Sequence, residues 1–126
     1  MLDNKKSSSL FGSVRFAVRG LRIIFLTERN FRIQVLCLLA ALTTFAFFRA
    51  EPMWWAVFAV ISGFVLALEA LNSAIERLLD HLHPDFHLEV GLIKDCSAAA
   101  VLIVSIASIV VFVAFILSHS ERLRGF

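Results

Sequence analysis

The sequence lacks the usual nucleotide cradles. It contains no G-x-x-x-x-G-K-[ST] phosphate loop and no kinase-type glycine-rich loop. Any ATP it uses must be held by a metal ion and cationic side chains instead. It also lacks a Gly-x-Ser-x-Gly elbow and a Ser-His-Asp order, so hydrolase chemistry of those types has no visible seat. Cys37 and Cys96 are its 2 cysteines. They lie in or at the edge of apolar runs without metal-ligand spacing, and small core residues are expected there. His81, His83 and His87 have no paired cysteines beside them and straddle a helix and a loop, a poor zinc set. A cleavable signal peptide is not expected. The charged leading region is too long, and the apolar run after it carries no small-residue cleavage site. Acids are scarce at the start too. Only Asp3 and Glu28 precede the first long apolar run, against Lys5, Lys6, Arg15, Arg19, Arg22, Arg29 and Arg32.

What is abundant is apolar surface. Hydrophobic residues make up 60% of the 126, with 13 Phe, and the mean hydropathy is +0.86. A soluble domain of this size has too little interior to hide so much. Lipid is the natural solvent for the excess, and residues 1–126 read as a single membrane domain. The basic arm belongs on the cytoplasmic side, where anionic headgroups attract it. Nucleic acid is a poor partner for it, because the block leads straight into a membrane anchor.

The expected fold is all-α: an N-terminal amphipathic surface helix plus three transmembrane helices. Over residues 10–26, Leu10, Phe11, Val14, Ala17, Val18, Leu21 and Phe25 form an apolar side, with Arg15, Arg19 and Arg22 on another. The spans are expected at 31–48, at 53–71 with a polar continuation to about 82, and at 96–117. Arg49-Ala50-Glu51-Pro52 is a tight non-cytoplasmic turn, with Pro52 starting the next helix and Trp54 and Trp55 at the interface. His83-Pro84 ends the second helix. Pro84 to Val90 is expected as a loop, with a turn at Gly91. The N-terminus and the polar hairpin are placed inside and the C-terminus outside. Arg122 and Arg124 pull mildly the other way, and the larger N-terminal cluster decides.

The chemistry sits where the second span meets water. Glu69, Asn72, Ser73, Glu76 and Asp80 fall within an arc of roughly 100° on one helical face. A carboxylate buried at a membrane edge is costly without a metal or proton partner. Glu28, before the first span, and Lys94 and Asp95, before the third, reach the same level. Mg²⁺ typically takes one or two carboxylates plus nucleotide phosphates. Plainer readings stand beside this one. The acids can be solvated caps, Arg77 can pair with Ser73's neighbours or with Asp80 as surface decoration, and Lys94-Asp95 can be an interfacial anchor pair. From the residues alone, the chain is a membrane protein with an acidic interfacial site.

Glu69-Ala70-Leu71-Asn72-Ser73-Ala74-Ile75-Glu76 resembles the signature E-x-x-N-[ST]-A-I-E of the prokaryotic diacylglycerol kinases and related undecaprenol kinases. Thr27-Glu28-Arg29-Asn30, Asp85-Phe86-His87, and Lys94-Asp95 ahead of Ala98-Ala99-Ala100-Val101 agree with it in order and spacing. The resemblance covers roughly Phe16 to Leu117. It implies a homotrimer in the bacterial inner membrane, with active sites shared between subunits and facing the cytoplasm. It implies transfer of the ATP γ-phosphate to a membrane lipid alcohol, giving phosphatidate or undecaprenyl phosphate for lipid recycling. Glu69 resembles the general base and Asn72 the group that orients the base or the phosphates. Glu28 and Glu76 resemble the Mg²⁺ ligands that hold the ATP phosphates. Lys94 looks like a phosphate clamp with Asp95 beside it, and Asp85, Phe86 and His87 like part of the nucleotide loop. Phe16 stands where the family often has an aromatic hydroxyl, and Ser9 where diacylglycerol kinases tend to carry an arginine. Thr27-Glu28-Arg29-Asn30 and Pro84-Asp85-Phe86-His87 look closer to the undecaprenol branch.

Two other functions compete. One is a small oligomeric proton-coupled transporter with Glu69 as its intramembrane acid. The other is a non-catalytic membrane subunit. Clustering of Glu28, Glu76 and Lys94 on the cytoplasmic side separates the kinase from both, because a transporter needs only the central acid and a scaffold needs none of these.

Overall fold

The computed structural model describes residues 10–85 and 87–124. Among them the chain forms four helices and no strand: α1 (Leu10–Thr27), α2 (Arg29–Phe47), α3 (Pro52–Leu82) and α4 (Leu88–Arg124). Ser9 and Phe86 lie outside the described residues.

One apolar arc of α1 (Leu10, Phe11, Val14, Val18, Leu21 and Phe25) is exposed, as an interfacial helix requires. The helix stops at Thr27, whose hydroxyl donates to the Ile23 carbonyl at 2.9 Å. Glu28 follows in extended geometry, φ −96° and ψ 115°. The last turn of α1 has no basic residue of its own. Arg32 supplies the charge from α2, donating through Nη1 to the carbonyls of Phe25 (3.2 Å) and Leu26 (3.1 Å). A cation on those free carbonyls also suits the negative end of the helix dipole. The corner between α1 and α2, with Glu28 at its apex, is therefore pinned.

Three helices are long and apolar enough to cross a membrane: Arg29–Phe47, Pro52–Leu82 and Leu88–Ser120. The α2–α3 turn places Arg49 at φ 51°. The Ala50 N–H reaches the Phe45 carbonyl at 3.0 Å and the Arg49 N–H reaches Ala46 at 3.1 Å, the double bond of a left-handed helix cap. Pro52 opens α3, as the sequence predicts. At 31 residues α3 is roughly 46 Å long, against about 30 Å of bilayer core. Its last turns therefore stand in water. His83 caps it through its N–H to the Leu79 carbonyl at 2.8 Å, just before Pro84.

The loop expected over Pro84 to Val90 is shorter than that. Helix α4 starts at Leu88, and Gly91 is helical, its N–H reaching the His87 carbonyl at 3.1 Å. Pro84 alone forces the reversal. A glycine inside a helix costs only about 1 kcal/mol against alanine, too little to stop one. The span expected from Cys96 is thus the apolar part of a helix that begins two turns earlier, with Lys94 and Asp95 already on it.

The packed interior is small and divided. At one end Phe45 and Phe115 stack at 3.9 Å with rings 12° apart. Phe58, Trp54, Trp55 and Phe112 surround them. Val65 and Val104 fill the middle. At the other end the buried residues turn polar: Glu69, Asn72 and Ser73. Most apolar side chains face outward, including Leu36 (66% exposed) and Ile103 (69%). Cys37 and Cys96 are exposed in the chain, not core residues.

Candidate active site

Glu69 is the centre of the polar end. It is 4% exposed, on the face of α3 that packs against α2 and α4. The single helical face predicted from the sequence holds there, since Asn72 and Ser73 are buried with it and Glu76 is half-buried. Leu71 and Leu78 are exposed on other sides, at 58% and 57%. Each polar group on this face has a use. Ser73 donates to the Glu69 carbonyl at 2.9 Å, one helical turn back. Asn72 Nδ2 donates to Glu76 Oε1 at 3.0 Å, and Asn72 Oδ1 accepts from Ser97 Oγ on α4. From α2, Gln34 Nε2 donates to Glu69 Oε2 at 3.0 Å. One carboxylate (Glu69), two amides (Gln34 and Asn72) and one serine (Ser97) thus tie the three spans together.

The charged groups gather around this core. Glu76 and Glu28 both lie within electrostatic range of the Glu69 carboxylate. Glu28 reaches α3 through Arg77, whose Nη2 donates to Glu28 Oε1 at 2.8 Å and also to Thr27 Oγ1. Such a half-exposed pair adds little stability, about 0–1 kcal/mol, so its main effect is to place Glu28. Arg77 does not decorate the surface with Asp80, because Asp80 pairs with Lys94. That pair joins α3 to α4 one layer further into water. Asp85 and His87 are exposed between α3 and α4, and Asp95 is exposed on α4.

The residues fit a metal ion that arrives with its phosphates better than a resident one. Among the described residues, no three His, Cys, Asp or Glu side chains are grouped to hold a metal. Glu28 and Glu76 each use only Oε1 in their hydrogen bonds, leaving Oε2 for a cation. Two carboxylates completed by nucleotide phosphates are a usual Mg²⁺ set.

Gln34 and Ser97 are the site residues that sequence reasoning missed, and Arg77 is one that it read as surface decoration. Gln34 carried a usable signal, as an amide between Ile33 and Val35 at the start of a lipid-spanning run. A polar group in such a place needs a partner. Ser97, in a run of small residues, carried none.

Similarity to known proteins follows this geometry. Residues 15–116 match the sequence profile of the prokaryotic diacylglycerol kinases. A diacylglycerol kinase of Synechocystis is 36% identical over 104 residues, covering 82% of this chain and 59% of that protein, so the chain spans less than two thirds of that relative. The diacylglycerol kinase of Escherichia coli K12 is 28% identical over 82% of this chain and 85% of its own length. The undecaprenol kinase of Bacillus subtilis is 29% identical over 80% and 82%. The matched region runs from α1 through α4 and contains Glu28, Glu69, Asn72, Glu76, Lys94 and Asp95, and the chain belongs to the prokaryotic diacylglycerol kinase family.

Proposed function

We propose that this chain is an ATP-dependent lipid kinase of the bacterial inner membrane, moving the γ-phosphoryl group onto a membrane lipid alcohol at the cytoplasmic boundary. The observation that carries this is the buried Glu69 carboxylate, on the apolar side of Glu76 and Glu28, with the Lys94–Asp80 pair beyond them. A lipid hydroxyl approaches from the membrane and a nucleotide from the water, and the two meet at Glu69.

Each group has a part. Glu69 accepts the hydroxyl proton, and Asn72 orients the site by fixing Glu76 against α4. Glu28 and Glu76 would hold Mg²⁺, which would supply charge neutralisation to the ATP phosphates. Lys94 leaves Asp80 to clamp a phosphate, with Asp95, Asp85, Phe86 and His87 on the nucleotide side. Catalysis of phosphoryl transfer is then mostly positioning and electrostatics. The functional unit is a homotrimer whose neighbouring subunits complete each site.

The tail of the alcohol has a place to go. An apolar cavity of about 310 Å³ lies between α2, α3 and α4, lined by Cys37, Ala41, Phe58, Ile61, Ser62 and Phe112, among others. Phe58 and Ser62 share the helical face of Glu69, and Ser62 is roughly 10 Å deeper. A diacylglycerol chain and an isoprenoid chain both suit such a recess. The transporter reading needs a polar path beyond Glu69, and the Phe45–Phe115 stack occupies that direction.

Purified protein in mixed micelles, given Mg²⁺ and radiolabelled ATP, should label diacylglycerol or undecaprenol when each is offered separately. Label in neither lipid removes the kinase reading.

A further inference from the structure

Glu69 has a partner suited to both of its protonation states. Gln34 Nε2 donates to Glu69 Oε2 at 3.0 Å, while Gln34 Oε1 is buried and has no hydrogen-bond partner. An amide acceptor left bare inside a structure is costly, and such groups call for a functional explanation. Gln34 reaches Glu69 from α2, across the contact between the two spans, and among the described residues neither has a cation beside it in the hydrogen-bond network.

We infer that Gln34 is a positioning residue for the proton acceptor, holding Glu69 as a carboxylate before transfer and as a carboxylic acid after it. This rests on the kinase reading above. In the resting site the amide N–H fixes Glu69 Oε2 and leaves Oε1 turned to the lipid hydroxyl. The hydroxyl oxygen then bonds to the γ-phosphorus, and its proton passes to Glu69. The bond from the γ-phosphorus to the β–γ bridging oxygen breaks, and ADP leaves with that electron pair. Glu69 is now a neutral acid and carries a donor. Gln34 keeps its N–H on Oε2, and its own Oε1, the acceptor without a partner in the resting site, takes that new O–H in the paired geometry of an amide and a carboxylic acid. When Glu69 returns its proton to water, Gln34 Oε1 is again without a partner. An amide is uncharged and carries both a donor for the charged form and an acceptor for the neutral form. A hydrocarbon there would leave Glu69 unpaired in both. A cation would hold the carboxylate and oppose its protonation.

The test uses the full chain in mixed micelles with Mg²⁺ and ATP, offered dioleoylglycerol and undecaprenol separately. Gln34→Met keeps length and volume and removes both polar atoms. Its kcat should fall about 10- to 100-fold, as for a misplaced catalytic group, with KM for ATP and lipid within about twofold of wild type. In the Glu69→Gln background the same change should cost nothing further, because the group it positions is already gone. Binding of a fluorescent ATP analogue at wild-type affinity reports that the site still folds. An unchanged kcat in Gln34→Met overturns the inference. So does an equal loss in the Glu69→Gln background, and so does a parallel loss of nucleotide binding, which would mark a merely structural role. Wild-type protein that labels neither lipid would instead remove the kinase reading itself.

Discussion

At the scale of single residues, the site depends on which atoms are already committed. Glu69 has one oxygen held by Gln34 and one open. Glu69→Gln keeps the volume and removes the base. Turnover should drop by about 10²- to 10⁴-fold, the usual worth of a general base, while ATP-analogue binding survives. Equal turnover in that variant would reject the role. Asn72 is committed on both sides, donating to Glu76 and accepting from Ser97. Asn72→Asp changes one donor into an acceptor facing Glu76. The expected result is a loss of about 10²-fold in kcat/KM for Mg-ATP, from a displaced ligand and like-charge repulsion. Unchanged kinetics would show that Glu76 needs no such support. The face carrying Glu69, Asn72, Ser73 and Glu76 was legible in the sequence, because helical periodicity alone aligns them. Their partners were not. Gln34 and Ser97 lie on other helices, and only the packing angle between helices decides whom they meet. Arg77 had two acids within reach in sequence, Glu76 and Asp80, yet its partner Glu28 is 49 residues away.

At the scale of elements, the helix ends read less well than the helices. Pro52 and Pro84 mark boundaries because their rings forbid alternatives. The start of α4 was missed because His87 to Val90 contains no breaker, and a helix continues until something stops it. The α2–α3 turn carries a strained residue that no motif announced. Arg49 adopts φ 51°, where glycine is the natural occupant. Arg49→Gly should hold or raise resistance to unfolding in a detergent titration by up to about 1 kcal/mol. Arg49→Ile, β-branched in the same geometry, should lower it by a comparable or larger amount. If both variants unfold like wild type, the cap carries no strain. Phe45 is a further element-scale case, since it packs against rings from both α3 and α4. Phe45→Ala should destabilise by about 3–5 kcal/mol in the same titration and should leave the polar end, two to three turns away, chemically intact. A purified variant with normal ATP-analogue affinity but early unfolding is the expected outcome.

At the scale of the whole molecule, a single chain buries too little to explain its own sequence. Its apolar side chains face outward along all three spans, toward lipid or toward further copies. Glu28, Gln34, Glu69 and Glu76 nonetheless meet within one chain, through contacts that need no neighbour. Asp95 is different. It is exposed on α4, while Lys94 beside it turns back to Asp80 of its own chain. If neighbouring subunits share sites, Asp95 is the acid placed to reach across. Two inactive variants, mixed during reconstitution, can tell the arrangements apart. Glu69→Gln mixed with Glu28→Gln should stay inactive, since each chain spoils its own carboxylate cluster in the same place. Glu69→Gln mixed with Asp95→Asn should recover measurable lipid phosphorylation, since a site built on the intact Glu69 of one chain can draw an intact Asp95 from the next. Recovery in the first mixture would mean that the carboxylates themselves are exchanged between chains. Silence in the second, in protein that crosslinks as a trimer, would confine Asp95 to its own subunit and leave each site complete within a single chain.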